Sequence, residues 1–317
     1  MNIKDAITLY TDACRVNGLS ERSIETYVFA LSAFADFVGH SMKVDTILPH
    51  HCRSWYRAMQ EQGAVYENHP SRKAAERSLS PATIHGRATA LRTFSKWLVE
   101  DGLIDKSFFR NIKLPAKPPR PKRKRDIDQA DYLRLLEAAK DSPAQAHQHL
   151  RPLYAARDVA ILKVLRSTGC RAGGLCGMEI SDIYGDAIRV REKTGERFVY
   201  LTSSAKEALE HWLKVRPKQT HQKVFFTMPK GVPMKPKRVR DMLNRLAKRA
   251  GVDGNVNPHS FRHAFAKQSV MYGASISTVS QLLGHSNVTT THDYYAQMEP
   301  NELRELHRQV TRWMDDG

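Results

Sequence analysis

Asn257-Pro-His-Ser-Phe-Arg-His263 is the stretch from which the rest of the chain is read outward. His259 and His263 stand four positions apart, so in a helix they share a face. Such a pair has zinc-ligand spacing when a glutamate follows the first histidine and a third ligand is at hand. Here Ser260 follows His259 and no third ligand is evident, so no metal site is expected. The segment instead sets an imidazole and a guanidinium, His259 and Arg262, within one helical turn. Downstream lies Leu282-Leu-Gly-His-Ser-Asn-Val-Thr-Thr-Thr-His-Asp-Tyr-Tyr295, and upstream Ser167-Thr-Gly-Cys-Arg-Ala-Gly-Gly-Leu175. Between them Lys193-Thr-Gly-Glu196 reads as a hairpin turn joining two alternating runs, Ala187 to Arg191 and Arg197 to Leu201.

The charge balance narrows the partner. Fifty Lys and Arg against 33 Asp and Glu leave +17, which attracts polyanions, nucleic acid first and an anionic membrane surface second. No apolar run reaches the roughly 18–20 residues that span a bilayer, and Met1 to Tyr10 has no signal-peptide pattern. With 41% hydrophobic residues over 317, the chain can bury a core. Cys14, Cys52, Cys170 and Cys176 form no CxxC, and read as free thiols in a reducing compartment. A cytoplasmic, DNA-associated protein is expected.

The length suits two domains. Residues 1–113 read as helical, with helices at Ile3 to Val16, Glu21 to Val38, Arg53 to Gln62 and Pro81 to about Glu100. Their apolar residues recur at spacings of three and four; Ser20 and Ser80 are N-cap candidates, with Pro81 at a first helical position. Tyr66 to Arg77 is polar and reads as a loop. Residues 114–126 form a basic, proline-rich linker in which Lys122, Arg123, Lys124 and Arg125 follow one another. A solvated linker is the plain reading. Its place at a domain junction favours a strap along a phosphate backbone. Residues 127–317 read as mixed: a helix capped by Asp128 or Asp131, a buried helix over Arg157 to Ser167, the hairpin, a further strand over Lys223 to Thr227, and helices after Val239. In an amphipathic tail at about 300–314, Leu303, Leu306, Val310 and Trp313 make one stripe. The expected fold is mainly α with a small β-sheet.

The three segments, in this order, resemble the tyrosine recombinases of the phage-integrase and Xer-like family. H-x-x-R followed by L-G-H, with a tyrosine nine residues on, carries most of that resemblance; T-G-x-R and the hairpin lysine add to it. It spans residues 126–300, and the first part looks by pattern and position like the family's helical core-binding domain. The resemblance implies six catalytic positions: Arg171, Lys193, His259, Arg262, His285 and, as nucleophile, Tyr294, with Thr290-Thr291 matching the pair before it. Tyr295 is the neighbour that competes for the nucleophile's role.

The residue types suit that chemistry. In-line attack on a phosphodiester spreads charge over non-bridging oxygens, which two guanidiniums, Arg171 and Arg262, can meet with paired donors. His285 would add a hydrogen bond. A tyrosine hydroxyl ionises near pH 10, so it needs the arginines' field and a proton acceptor such as His259. The resemblance assigns protonation of the leaving 5′-oxygen to Lys193. No metal or other cofactor is called for. One position departs from the family: three residues after the first arginine, where an acidic side chain is usual, stands Gly174. Arg171 is thereby without its expected carboxylate.

The expected activity is site-specific recombination of duplex DNA through a 3′-phosphotyrosyl intermediate. Type IB topoisomerase-like relaxation and a catalytically impaired DNA-binding protein are the alternatives. The resemblance also implies a homo-oligomer on DNA, a tetrameric synapse joined by exchange of the tail, with accessory DNA-binding proteins as further partners and no membrane. Packing of the tail stripe on its own domain is the competing reading.

Overall fold

Residues 1–61, 78–114, 127–141, 148–192, 195–254 and 256–284 are described by a computed structural model of the chain. It separates into two units, Met1–Pro121 and Lys122–Gly317.

Short polar side chains open the helices of the first unit. Asn2 caps α1 (Ile3–Val16) by accepting from the Asp5 N–H. Ser20 caps α2 (Glu21–Val38), and Ser80 caps α4 (Pro81–Glu100), with Pro81 in the first turn. The helix between, α3 (Pro49–Glu61), begins earlier than the expected Arg53. Pro49 is preset for a first helical position, and the His51 ring reaches back to accept from the Leu48 N–H at 3.0 Å. That satisfies one of the amide groups a helix start leaves unpaired. The faces turned inward carry Ile3, Tyr10, Leu31, Phe34, Trp55, Leu91, Phe94 and Leu98. Tyr10 meets Phe94 edge-on at 5.3 Å and Phe34 meets Trp55 likewise at 5.1 Å. Such aromatic pairs stabilise beyond the area they bury.

The second unit alternates helices with two small antiparallel sheets. Asp128, not Asp131, caps α5 (Gln129–Lys140). α6 (Arg151–Thr168) is buried along Ala160, Ile161, Val164 and Leu165, and Gly169 ends it in the left-handed conformation, φ +57°. After α7 (Ala172–Gly177) come β1 (Ile183–Tyr184), β2 (Ala187–Glu192) and β3 (Gly195–Tyr200), in the order β1-β2-β3. The register sets Ile188 against Val199, Val190 against Arg197 and Glu192 against Gly195. Ile188 and Val190 supply the buried face, as their alternation predicts. Asp182, fully buried, accepts from Arg189 Nε at 3.1 Å and Arg191 Nη1 at 2.8 Å, and so ties β2 to the turn before β1.

α8 (Ser203–Val215) is a helix that the sequence reading passed over, though Ala205, Leu209 and Trp212 mark its buried stripe. The strand expected over Lys223 to Thr227 is shorter. Only β4 (Phe226–Thr227) is a strand, paired with β5 (Val232–Pro233) in a sheet of its own, while Lys223 makes an isolated bridge to Glu179. Val224 cannot extend it: its N–H goes to Met178 O and its carbonyl to the Trp212 indole. Three helices follow, α9 (Pro236–Arg249), α10 (Pro258–Met271) and α11 (Ile276–Leu283). The fold is thus mainly helical with small antiparallel sheets. Among the described residues no helix is long and apolar enough to cross a membrane, and the four cysteines are free and buried.

Candidate active site

Three of the sequence's candidate residues, Arg171, His259 and Arg262, lie in the described part. Their elements are joined largely through one guanidinium. Arg262 sits on the inward face of α10, 4% exposed. Its Nη1 donates to Gly169 O at 3.0 Å and its Nη2 to Leu283 O at 2.6 Å. The loop after α6, helix α10 and the end of α11 therefore meet at a single side chain. Gly169 is needed for that closeness: a Cβ there would come within 2.9 Å of Leu283 Cδ2, on a backbone already at positive φ. Burial pushes the Arg262 guanidinium down to about 10, Arg171 adds repulsion and Glu192 opposes it. It is still a cation at neutral pH.

Arg171 occupies the N-cap position of α7. Its backbone N–H donates to Glu192 Oε1 at 2.9 Å, and its guanidinium pairs with Glu192 Oε2. Arg197, on β3, brings Nη2 to 3.6 Å from the same carboxylate and donates from Nη1 to Leu282 O at 2.6 Å. Its Nε and Nη2 have no hydrogen-bond partner among the described residues. The Glu192 side chain is 2% exposed and that of Arg171 29%, so a buried anion holds a cation that reaches the surface. Burial pushes the Glu192 carboxyl up, but the Arg171 N–H and the Arg197 and Arg171 guanidiniums outweigh it and hold the group below its ordinary value. Removing one partner of such a buried pair costs about 3–5 kcal/mol, because the other charge is stranded.

His259 lies in the first turn of α10. Asn257 caps that helix with its side-chain oxygen, accepting from the His259 N–H at 2.8 Å and the Ser260 N–H at 3.2 Å. Burial first, then Arg262 and Arg171, lower the imidazole below its ordinary value. At neutral pH it is uncharged and holds a lone pair for a proton. The second histidine of the pair stacks beside it, ring centroids 6.1 Å apart. Among the described residues no group of three His, Cys, Asp or Glu could hold a metal ion.

Lys193, His285, Tyr294 and its neighbour Tyr295 lie outside the described residues, as do Lys122, Arg123, Lys124, Arg125 and the tail stripe. Two of them are bracketed in the chain: Lys193 directly follows Glu192 and His285 directly follows Gly284. Sequence reasoning missed Glu192 and Arg197. The missing carboxylate at 174 signals that another acid is wanted but not which one, since only the folding of β2 against α7 brings Glu192 to Arg171.

The model of the phage integrase family matches residues 125–302, more than half of the 317. The chain belongs to the phage integrase family. Tyrosine recombinase XerC of Bacillus subtilis is 28% identical over 305 residues, covering 92% of each chain. The backbone follows that of the Tn1549 transposon integrase in complex with transposon right end DNA, with a TM-score of 0.71 at 18% identity over 98% of this chain and 100% of that one. A lambda integrase dimer bound to a COC′ core site gives 0.68 at 16% identity, over 93% and 77%.

Proposed function

We propose that this protein, a tyrosine-type site-specific recombinase, cleaves and rejoins duplex DNA with Tyr294 as nucleophile and Arg171, Lys193, His259, Arg262 and His285 around the scissile phosphate. The observation that carries this reading is the gathering of Arg171, His259 and Arg262 where Arg262 of α10, the helix that also bears His259, bonds Gly169 two residues before Arg171 at the start of α7. The cations offer charge-assisted donors to the non-bridging oxygens as negative charge builds on them. The same field favours the phenolate of an approaching tyrosine. The Tyr294 oxygen attacks phosphorus, its proton passes to His259, and the bond from phosphorus to the 5′-oxygen breaks. Lys193 gives that oxygen its proton, leaving a 3′-phosphotyrosyl bond and a free 5′-hydroxyl. Attack by a 5′-hydroxyl of another strand reverses each transfer, and covalent trapping separates rejoining from hydrolysis. No cofactor enters these steps.

The protein binds DNA and works as an oligomer. Its finer organisation is part of the proposal: a tetrameric synapse, tails exchanged through Leu303, Leu306, Val310 and Trp313, accessory DNA-binding proteins as further partners, and Lys122 to Arg125 lying along phosphates. Residues 1–113 would form the core-binding domain and residues 127–317 the catalytic domain, acting on DNA in the cytoplasm. A nicked suicide substrate, from which the strand beyond the cut diffuses away, tests the chemistry. Wild-type protein should accumulate a covalent adduct, and Tyr294→Phe should bind the same DNA equally well and form none. Adduct formation by Tyr294→Phe together with its loss in Tyr295→Phe would overturn the assignment.

A further inference from the structure

We propose that Glu192 is the positioning residue of Arg171, taking from strand β2 the part that an acidic side chain at position 174 would play, and that residue 174 is glycine to leave room for it. This rests on the reading of Arg171 as a catalytic residue. Three observations carry it. The carboxylate grips Arg171 at both ends, the backbone N–H at 2.9 Å and the guanidinium through its second oxygen. That fixes the residue's direction as well as its charge. Next, an added Cβ at Gly174 would lie 2.9 Å from Glu192 Oε1 and 3.1 Å from its Cγ. The space a side chain at 174 would use is the space the carboxylate fills. Last, Glu192 is almost fully buried beside Arg171 and Arg197, and in the field of Arg262. Without it Arg171 would lose this carboxylate while the like charges of Arg197 and Arg262 remained near it.

The change of element has a mechanical result. An acid at position 174 would hold Arg171 from within its own helical turn. Glu192 holds it from the end of β2, one residue before Lys193. The arginine that meets the phosphate and the root of the hairpin that bears the proton donor are therefore tied by one carboxylate.

Swapping the acid between elements tests this. Adduct formation is followed in single turnovers on the suicide substrate, at saturating protein and at a temperature where circular dichroism shows each variant folded. Glu192→Gln keeps the shape and loses the charge; it should slow cleavage about ten- to a hundredfold, by analogy with the loss of a group that orients a metal ligand, with DNA affinity unchanged. Gly174→Glu alone should also be slow, because two carboxylates contend for one space. The double variant Gly174→Glu/Glu192→Ala should regain most of the rate that Glu192→Ala loses, which a merely structural role for Glu192 would not allow. Glu192→Gln cleaving at the wild-type rate while Arg171→Ala is inactive would overturn the positioning role and leave the catalytic reading intact. Arg171→Ala cleaving normally would overturn the reading on which it rests. A folded double variant as slow as Glu192→Ala would show that position 174 is not the place Glu192 fills.

Discussion

Among the described residues of the first unit, Ser95 is the buried polar side chain, and it is satisfied by Ser107 at 2.7 Å. The second unit buries Asp131, Arg157, Asp158, Asp182 and Arg262, and sinks the carboxylate of Glu192 beside them. The first kind of core rests on transfer of apolar and aromatic surface from water. The second contains charges whose burial costs free energy that their pairing only partly returns. Pairing with buried carboxylates holds such cations in fixed directions, which apolar packing alone does not do. Among the described residues, charge burial is therefore concentrated in the unit that carries the candidate site.

The largest expected effect breaks the apolar side of this contrast. Phe94→Ala removes a fully buried ring that touches Tyr10 and Trp97, and should cost about 3–5 kcal/mol. Hydrogen exchange should quicken across residues 1–113 and hold across 127–284. Cleavage per folded, DNA-bound molecule should be unchanged; equal loosening of both regions would contradict separate cores.

Acid should sharpen the contrast next. Glu192 and Asp182 are both held below their ordinary values: burial works against this, and hydrogen bonds from Arg171 in one case and from Arg189 and Arg191 in the other outweigh it. Their stabilising contribution is therefore complete above the unfolded carboxylate values, about 4, and is lost as pH falls through the folded ones. His259 is also lowered, by burial and then by Arg262 and Arg171, so the unfolded chain takes up its proton first, from about pH 6.5 downward. Among the described residues of the first unit, His51 is the counterpart to that earlier step, lowered by burial and by His50. After correction for intrinsic exchange rates, protection in residues 127–284 should fall in two stages, near pH 6 and again below about pH 4, and residues 1–113 should lack the second. A second stage of equal size in both would remove the distinction.

The smallest effect concerns the basic run at the start of the second unit. Replacing Lys122, Arg123, Lys124 and Arg125 with alanine should weaken specific and random DNA alike, since phosphate contacts position without reading sequence. The slope of log affinity against log salt should shrink by about 0.9 for each phosphate that is no longer neutralised. An unchanged slope would make the run a spacer.

How far the sequence can be read follows from how local each feature is. Caps and stripes are local, so α1, α2 and α4 can be drawn from Ser20, Ser80 and the spacing of apolar residues. The start of α3 is harder to read because its signal is a histidine ring reaching back to an amide, a less common cap than serine. Val224 and Phe225 have strand-like composition but spend their backbone groups on other partners. At the site, Arg171, His259 and Arg262 sit in short motifs and can be named. Glu192 and Arg197 cannot, because they reach the site only through the register of β2 on β3 and the docking of that hairpin on α7. No run of neighbouring letters records which strand residue lands beside a distant arginine.

Asn257 has a consequence of its own. Aspartate caps helices as well as asparagine does, and caps α5 in this same chain. At the start of α10 an aspartate would set a full negative charge two residues from His259, favour the imidazolium, and compete with any incoming phosphate for the nearby arginines. The amide closes the helix with no charge at all. It leaves the positive end of the helix dipole uncancelled, so the start of α10 adds to the attraction for an anion and does not screen it.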